Sequence, residues 1–143
     1  MNYTENIISK YRANGFKLTP QRLAILKCLD GNTGHPTAEN IYVEIKKTHP
    51  TVSFATVYNT LQSLKDMGEI LEVTIDPDRK HFDPNTEAHH HIICTNCGKI
   101  GDIFVDYSQA LTLPQEVGAE FSPTGNHVDF YGLCKKCRIK GRV

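Results

Sequence analysis

The first half of the chain carries apolar residues mostly at helical spacing, and the second half carries them in short β-like runs. Residues 2–14 read as a helix that ends at Gly15. Thr19-Pro20-Gln21-Arg22 reads as a helix start, with Thr19 as N-cap and Pro20 at the first helical position, where its missing N–H is harmless. This helix sets Leu23, Leu26 and Leu29 on one side and stops before Gly31. Thr37 caps a third helix, striped by Ala38, Ile41 and Ile45 and ending near Thr48. Ser53 opens a fourth, with Phe54, Val57, Leu61 and Leu64 facing a core, Thr56, Asn59 and Gln62 on the opposite side with Tyr58 beside them, and an end at Gly68.

Two β-like runs follow, 69–75 and 79–82, joined by the turn Asp76-Pro77-Asp78. Helices followed by a two-stranded hairpin give the order of a winged helix, a helix-turn-helix variant whose last helix enters the major groove. Asp83-Pro84-Asn85-Thr86 is the most linker-like segment, which divides the chain into a domain at 1–82, a linker at 83–88 and a second domain at 89–143. Beyond the linker, 88–94 and 100–105 read as strands around a Cys-x2-Cys turn. Pro114 breaks any single helix across 106–118. Residues 119–121 and 127–133 read as a hairpin around Pro123-Thr124-Gly125, and Cys134-Lys135-Lys136-Cys137 opens a short basic tail. The fold class is α+β.

Composition changes this picture little. At 143 residues the chain has room for two small cores. No run approaches the roughly 18 apolar residues of a membrane span, and the start is too polar for a signal peptide, so a cytoplasmic protein is expected. The formal net charge of zero argues against nonspecific polyanion binding, which leaves the question of nucleic acid to local placement. Four of the five cysteines fall into two C-x2-C pairs, which suits thiolate–metal chemistry in a reducing compartment.

The chemistry concentrates between Lys80 and Lys99. Cys94/Cys97 and Cys134/Cys137 are two knuckles whose four sulfurs close a tetrahedral shell, the spacing and ligand type of a structural zinc site. A redox dithiol is the alternative. Cys28 is an ordinary semi-buried thiol. In an extended strand His89 and His91 point to one face while His90 and Cys94 point to the other, so the imidazoles and the thiols serve two separate centres. Asp83 and Asp102 flank the histidine pair. His35, in the loop 31–36, reads from the residues alone as a loop histidine. With His35 included, three imidazoles and two carboxylates without a thiolate favour Fe(II) or Mn(II) and leave one position of about six open. Such a site spans the domain boundary, so an exchangeable ion would control the relative orientation of the domains.

The segments LTPQR (18–22), HPTAENIY (35–42), SFATVYNTL (53–61), HHHIICTNCGKI (89–100) and FYGLCKKC (130–137) resemble the ferric-uptake-regulator family over nearly the whole chain. The resemblance implies an N-terminal winged helix, a small α/β dimerisation domain with a four-cysteine zinc site, and metal-dependent repression at palindromic operators. It also makes His35 a ligand. Asp102 and Asn59 make the chain most like the peroxide-responsive branch, in which peroxide oxidises a ligand histidine, here His35 or His89. Iron- or zinc-responsive repression of metal uptake is the alternative within the family. An accessory metal site common in the family would need acids or histidines where this chain has Ala88 and Gln109, so it is expected to be absent, with His90 and His127 structural.

Double-stranded DNA is the expected partner, contacted by a homodimer at a palindromic, A/T-rich site. Lys17, Arg22 and Arg79 are placed for phosphates, with Lys10, Arg12 and Lys80 in support, and Thr56, Tyr58 and Asn59 for bases. No catalytic residue is expected. A mononuclear iron oxygenase would use similar ligands, but five protein donors leave too few positions for oxygen and a substrate. A zinc-ribbon scaffold without a DNA role is the remaining alternative.

Overall fold

The computed structural model describes residues 3–76 and 79–140, and the chain divides into two compact units, Met1–Thr86 and Glu87–Val143. The first unit is an N-terminal winged helix built from α1 (Tyr3–Ala13), α2 (Pro20–Leu29), α3 (Ala38–Thr48), α4 (Phe54–Asp66), β1 (Leu71–Val73) and β2 (His81–Asp83). The three expected N-caps are in place. Thr19, Thr37 and Ser53 accept hydrogen bonds from the backbone N–H of Arg22, Asn40 and Thr56. At α3 the Asn40 side chain returns the bond to the Thr37 N–H, closing a capping box. Gly68, at φ 76°, takes the left-handed turn after α4 that a side chain would resist.

The helices bury Ile7 and Tyr11 from α1, Ile25, Leu26 and Leu29 from α2, Ala38, Ile41 and Ile45 from α3, and Val57, Leu61 and Leu64 from α4. Each fully buried aliphatic side chain contributes roughly 1.5–3 kcal/mol, so this cluster is the main term holding the unit together. Phe54 is not in it. The expected core residue is 40% exposed and meets Tyr42 edge-on, with ring centroids 5.7 Å apart. It is the first residue of α4, and helical side chains lean toward the N-terminus, so its ring overhangs the end of the helix.

The antiparallel pair β1–β2 sets Leu71 opposite Asp83 and Val73 opposite His81. Asp83 therefore closes a strand, where the sequence reading had placed it in the linker. Of the expected turn Asp76-Pro77-Asp78, Pro77 and Asp78 lie outside the described residues, as does Asn2 of the first expected helix.

In the second unit a three-stranded sheet runs in the order β4 (Ile100–Ile103), β3 (His90–Cys94), β5 (Asp129–Gly132), with short helices α5 (Gln115–Gly118) and α6 (Lys135–Lys140). β4 is antiparallel to β3, but β5 is parallel to it. This overturns the expected hairpin of 119–121 with 127–133. A parallel neighbour needs a crossover of a dozen or more residues, and the chain between β4 and β5 supplies it, with α5 beginning directly after Pro114. The basic tail is likewise helical, as α6. Among the described residues of this unit, only Ile93, Cys94, Ile100 and Cys137 form the buried apolar interior apart from the histidines. So small a core calls for a covalent or metal staple. Among the described residues no helix is long and apolar enough to cross a membrane.

Candidate metal centres and nucleic-acid face

The two knuckles meet. β5 lies in register with β3 so that Gly132 is opposite Cys94, which delivers Cys134 and Cys137 beside Cys94 and Cys97. The Cys97 and Cys134 sulfurs are 3.7 Å apart, against about 3.8 Å for two corners of a tetrahedron with ~2.3 Å metal–sulfur bonds. Gly98, at φ 80°, turns the first knuckle, and its N–H donates to the Cys94 carbonyl at 2.9 Å. Backbone N–H groups of Cys134 and Cys97 hold the Cys94 thiol down to about 6. Hydrogen bonding by Cys137 lowers Cys134 too. At Cys137 the Asn96 amide pulls downward, but Cys134, burial and the remaining sulfurs outweigh it and push that thiol up to about 11. Four sulfurs this close resist complete ionisation unless a cation offsets their charge. The donor set therefore fits a divalent, sulfur-seeking ion. Cys28 is elsewhere, half-buried against the helical core, with burial raising its thiol.

The nitrogen and oxygen donors fall into two sets, one in each unit. In the first unit His35 Nε2 stands 3.3 Å from Asp83 Oδ2, with both side chains buried. The pairing follows from how β2 is stitched to the loop before α3. The Phe82 N–H donates to the Pro36 carbonyl at 2.9 Å, Thr37 bridges His81, and His81 Nδ1 lies 2.7 Å from the His35 carbonyl. His35 itself adopts φ 50°, the one positive φ among the described non-glycine residues. That conformation costs roughly 1–2 kcal/mol for an ordinary side chain, and the contacts to β2 offset it. The other oxygen of Asp83 accepts the Asn85 N–H at 3.0 Å, which fixes the orientation of the carboxylate.

In the second unit His89 Nε2 and His91 Nε2 converge on Asp102 Oδ1, at 3.1 and 3.3 Å. The sheet register places Asp102 directly opposite His91, and the two imidazoles, two residues apart, sit 4.6 Å apart between centroids. His89 Nδ1 lies 2.6 Å from the Glu87 carbonyl, which requires its proton and leaves Nε2 with the lone pair. Spacings near 3 Å are those of adjacent donors on an ion with ~2.1 Å bonds in octahedral geometry. Both sets fit a borderline-hard divalent ion by donor type and by spacing.

The expected DNA-facing residues lie on the first unit. Tyr58 and Asn59 are exposed on α4, whereas Thr56 is half-buried with its hydroxyl 2.9 Å from that of Ser53. Lys17 and Arg79 are exposed. Arg22 is half-buried and donates to the Lys17 carbonyl at 2.5 Å. Two acids that sequence reasoning did not single out offset neighbouring cations. Glu69 pairs with Lys10 at 2.9 Å, and Glu72 pairs with Lys80 at 3.2 Å and with Lys65. The strand alternation Glu72 to Phe82 was the available signal, because cross-strand neighbours fall on one face.

The family model described as "Ferric uptake regulator family" matches residues 13–122. The peroxide-responsive repressor PerR of Staphylococcus epidermidis is 39% identical over 138 residues, covering 96% of this chain and 91% of that protein. Among solved structures, the ferric uptake regulator of Francisella tularensis with iron superposes with a TM-score of 0.74 at 30% identity, over 87% of this chain and 96% of that one. PerR of Streptococcus pyogenes, solved in a study of peroxide sensing and gene regulation, gives 0.56 at 30% identity, over 96% and 94%. With the winged helix, the four-cysteine cluster and matches of this extent, the chain belongs to the ferric uptake regulator family.

Proposed function

We propose that this chain is a metal-dependent transcriptional repressor that senses hydrogen peroxide at an Fe(II) or Mn(II) site made by His35, Asp83, His89, His91 and Asp102. The observation that carries the reading is the separation of donors: four sulfurs in one cluster, and imidazoles with carboxylates and no sulfur in the other sets. The sulfur shell, Cys94, Cys97, Cys134 and Cys137, holds structural Zn(II). A site closed by four thiolates exchanges slowly and serves as the staple of the second unit. The nitrogen–oxygen set lacks that lock and answers to metal supply. Relatives bearing the name peroxide-responsive repressor, at 39–40% identity, support the choice of stimulus.

In this reading the winged helix, ending with Asp83 in β2, reads DNA, residues 89–143 pair two copies, and the segment after Asp83, up to residue 88, forms the hinge. One ion shared by His35 and Asp83 on one side and His89, His91 and Asp102 on the other selects the orientation that binds an operator. Fe(II) held by these residues would act as a redox catalyst with no net change of its own. In the overall balance one peroxide oxygen enters an imidazole C–H of His35 or His89 and the other leaves as water, so the ring loses two electrons and the peroxide gains them. Loss of a ligand releases the clasp. Lys17, Arg22 and Arg79 hold phosphates, and Tyr58, Asn59 and the Thr56 methyl face the bases of a palindromic, A/T-rich site. The outward apolar side chains Phe104, Val105, Val117 and Phe121 support a homodimer, because a monomer rarely leaves so much apolar surface bare.

The test is operator binding by fluorescence anisotropy with Fe(II) or Mn(II), before and after peroxide in low excess, followed by peptide mass spectrometry. Loss of binding by the Fe(II) form alone, with one oxygen gained on His35 or His89, supports the reading. Peroxide-insensitive binding that tracks iron concentration would replace it with iron-responsive repression of metal uptake.

A further inference from the structure

His127, expected from the sequence to be merely structural, lies between a carboxylate and a member of the nitrogen–oxygen set. Its Nε2 is hydrogen-bonded to His91 Nδ1 at 3.2 Å, and its Nδ1 lies 3.2 Å from Asp129 Oδ1, an ion-pair contact that leaves this buried oxygen without an aligned hydrogen bond. Backbone contacts place it there. The His91 N–H donates to the Val128 carbonyl at 3.2 Å, the Val128 N–H donates to His90 Nδ1 at 2.9 Å, and Asp129 is the parallel partner of His91.

We propose that His127 and Asp129 form a positioning relay for His91, fixing which ring nitrogen faces the regulatory ion. The proton arrangement is self-consistent. The Asp129 carboxylate beside Nδ1 favours the His127 proton on that nitrogen, which leaves a lone pair at Nε2. That lone pair takes the His91 Nδ1–H, which leaves His91 Nε2, the atom beside Asp102, with its lone pair toward the ion. His89 gains the same arrangement from the Glu87 carbonyl. The difference is that His91 depends on a side chain, and one that is 51% exposed, so it can be removed without opening a core. Outer partners of this kind typically alter metal affinity about 10–100-fold.

The relay rests on the proposed metal site, and the experiment separates the two. The full chain, zinc-loaded and freed of its second metal, is titrated with Mn(II) while free Mn(II) is read by electron paramagnetic resonance. The parent, His127→Ala, His127→Gln, Asp129→Asn and Asp102→Ala are compared, with zinc content and thermal midpoint as controls. His127→Ala is expected to bind the same number of Mn(II) ions about 10–100-fold more weakly. His127→Gln is expected to recover part of the loss, since its amide both accepts from His91 and donates to Asp129. Parent-like affinity in His127→Ala overturns the relay. A drop in the number of ions bound also overturns it, by making His127 a ligand of an ion held with His91 and Asp129. If instead the parent and Asp102→Ala bind Mn(II) equally, the metal site itself is wrong.

Discussion

If DNA meets the winged helix on the face proposed above, Glu72 limits the positive charge offered to it, and replacing Glu72 tests that placement. The carboxylate is 11% exposed and faces two lysines, Lys80 at 3.2 Å and Lys65. Lys65 is the basic residue of α4, and Lys80 lies just before β2. Glu72→Gln keeps the size of the side chain and releases both cations. If each then reaches a phosphate, the slope of log affinity against log salt steepens by about 0.9 per contact. For two contacts per protomer, four per operator-bound dimer, raising salt from 50 to 200 mM weakens binding about 150-fold more than in the parent, and low-salt affinity rises. Folding suffers little, since a surface pair such as Lys65–Glu72 contributes about 1 kcal/mol or less. The assay is anisotropy of a labelled operator with metal-loaded protein across a salt series. An unchanged slope would show that neither lysine approaches DNA, and the placement of this face would fail.

The same carboxylate gives a pH prediction. The hydrogen bond from Lys65, helped by Lys80, lowers the Glu72 pKa despite burial. Its folded value lies below its unfolded one, so its stabilisation is complete above the unfolded value of about 4.3 and is lost as pH falls through the folded value. Parent and Glu72→Gln melting curves should converge in acid, and a gap that widens there refutes the sign. Thr37→Ala removes the acceptor half of the α3 capping box and should cost about 1 kcal/mol, read as a shift in urea midpoint at constant slope. Cys97→Ser weakens one corner of the sulfur shell and should release zinc and unfold the second unit, leaving α1–α4 helical by circular dichroism. Retained zinc and a two-unit melt would contradict the staple.

Much of the first unit was legible because its signals are local. A capping threonine or serine and a stripe such as Val57, Leu61 and Leu64 lie within one helix, and the structure keeps them. Phe54 shares the stripe but sits where the helix begins, and periodicity does not say where a neighbouring element stops. The partner of a strand is not written in the strand. Residues 127–133 alternate as β5 does, yet nothing in them states that β3 lies alongside and parallel. The cysteine spacing was the better guide, since it demanded that Cys134 meet Cys94 whatever the strands did. The donor residues were readable as types, whereas His127 and Asp129 gained significance only when the sheet set them against His91.

The parallel seam between β3 and β5 has a consequence for evolution. One ruler positions both Gly132 against Cys94 and Asp129 against His91. A one-residue insertion within β5 would turn the side chains on one side of it to the opposite face, so it would either misplace the second sulfur knuckle or withdraw His127. Descendants of this chain can lengthen the crossover before His127, but indels inside those four residues stay forbidden as long as both centres are needed.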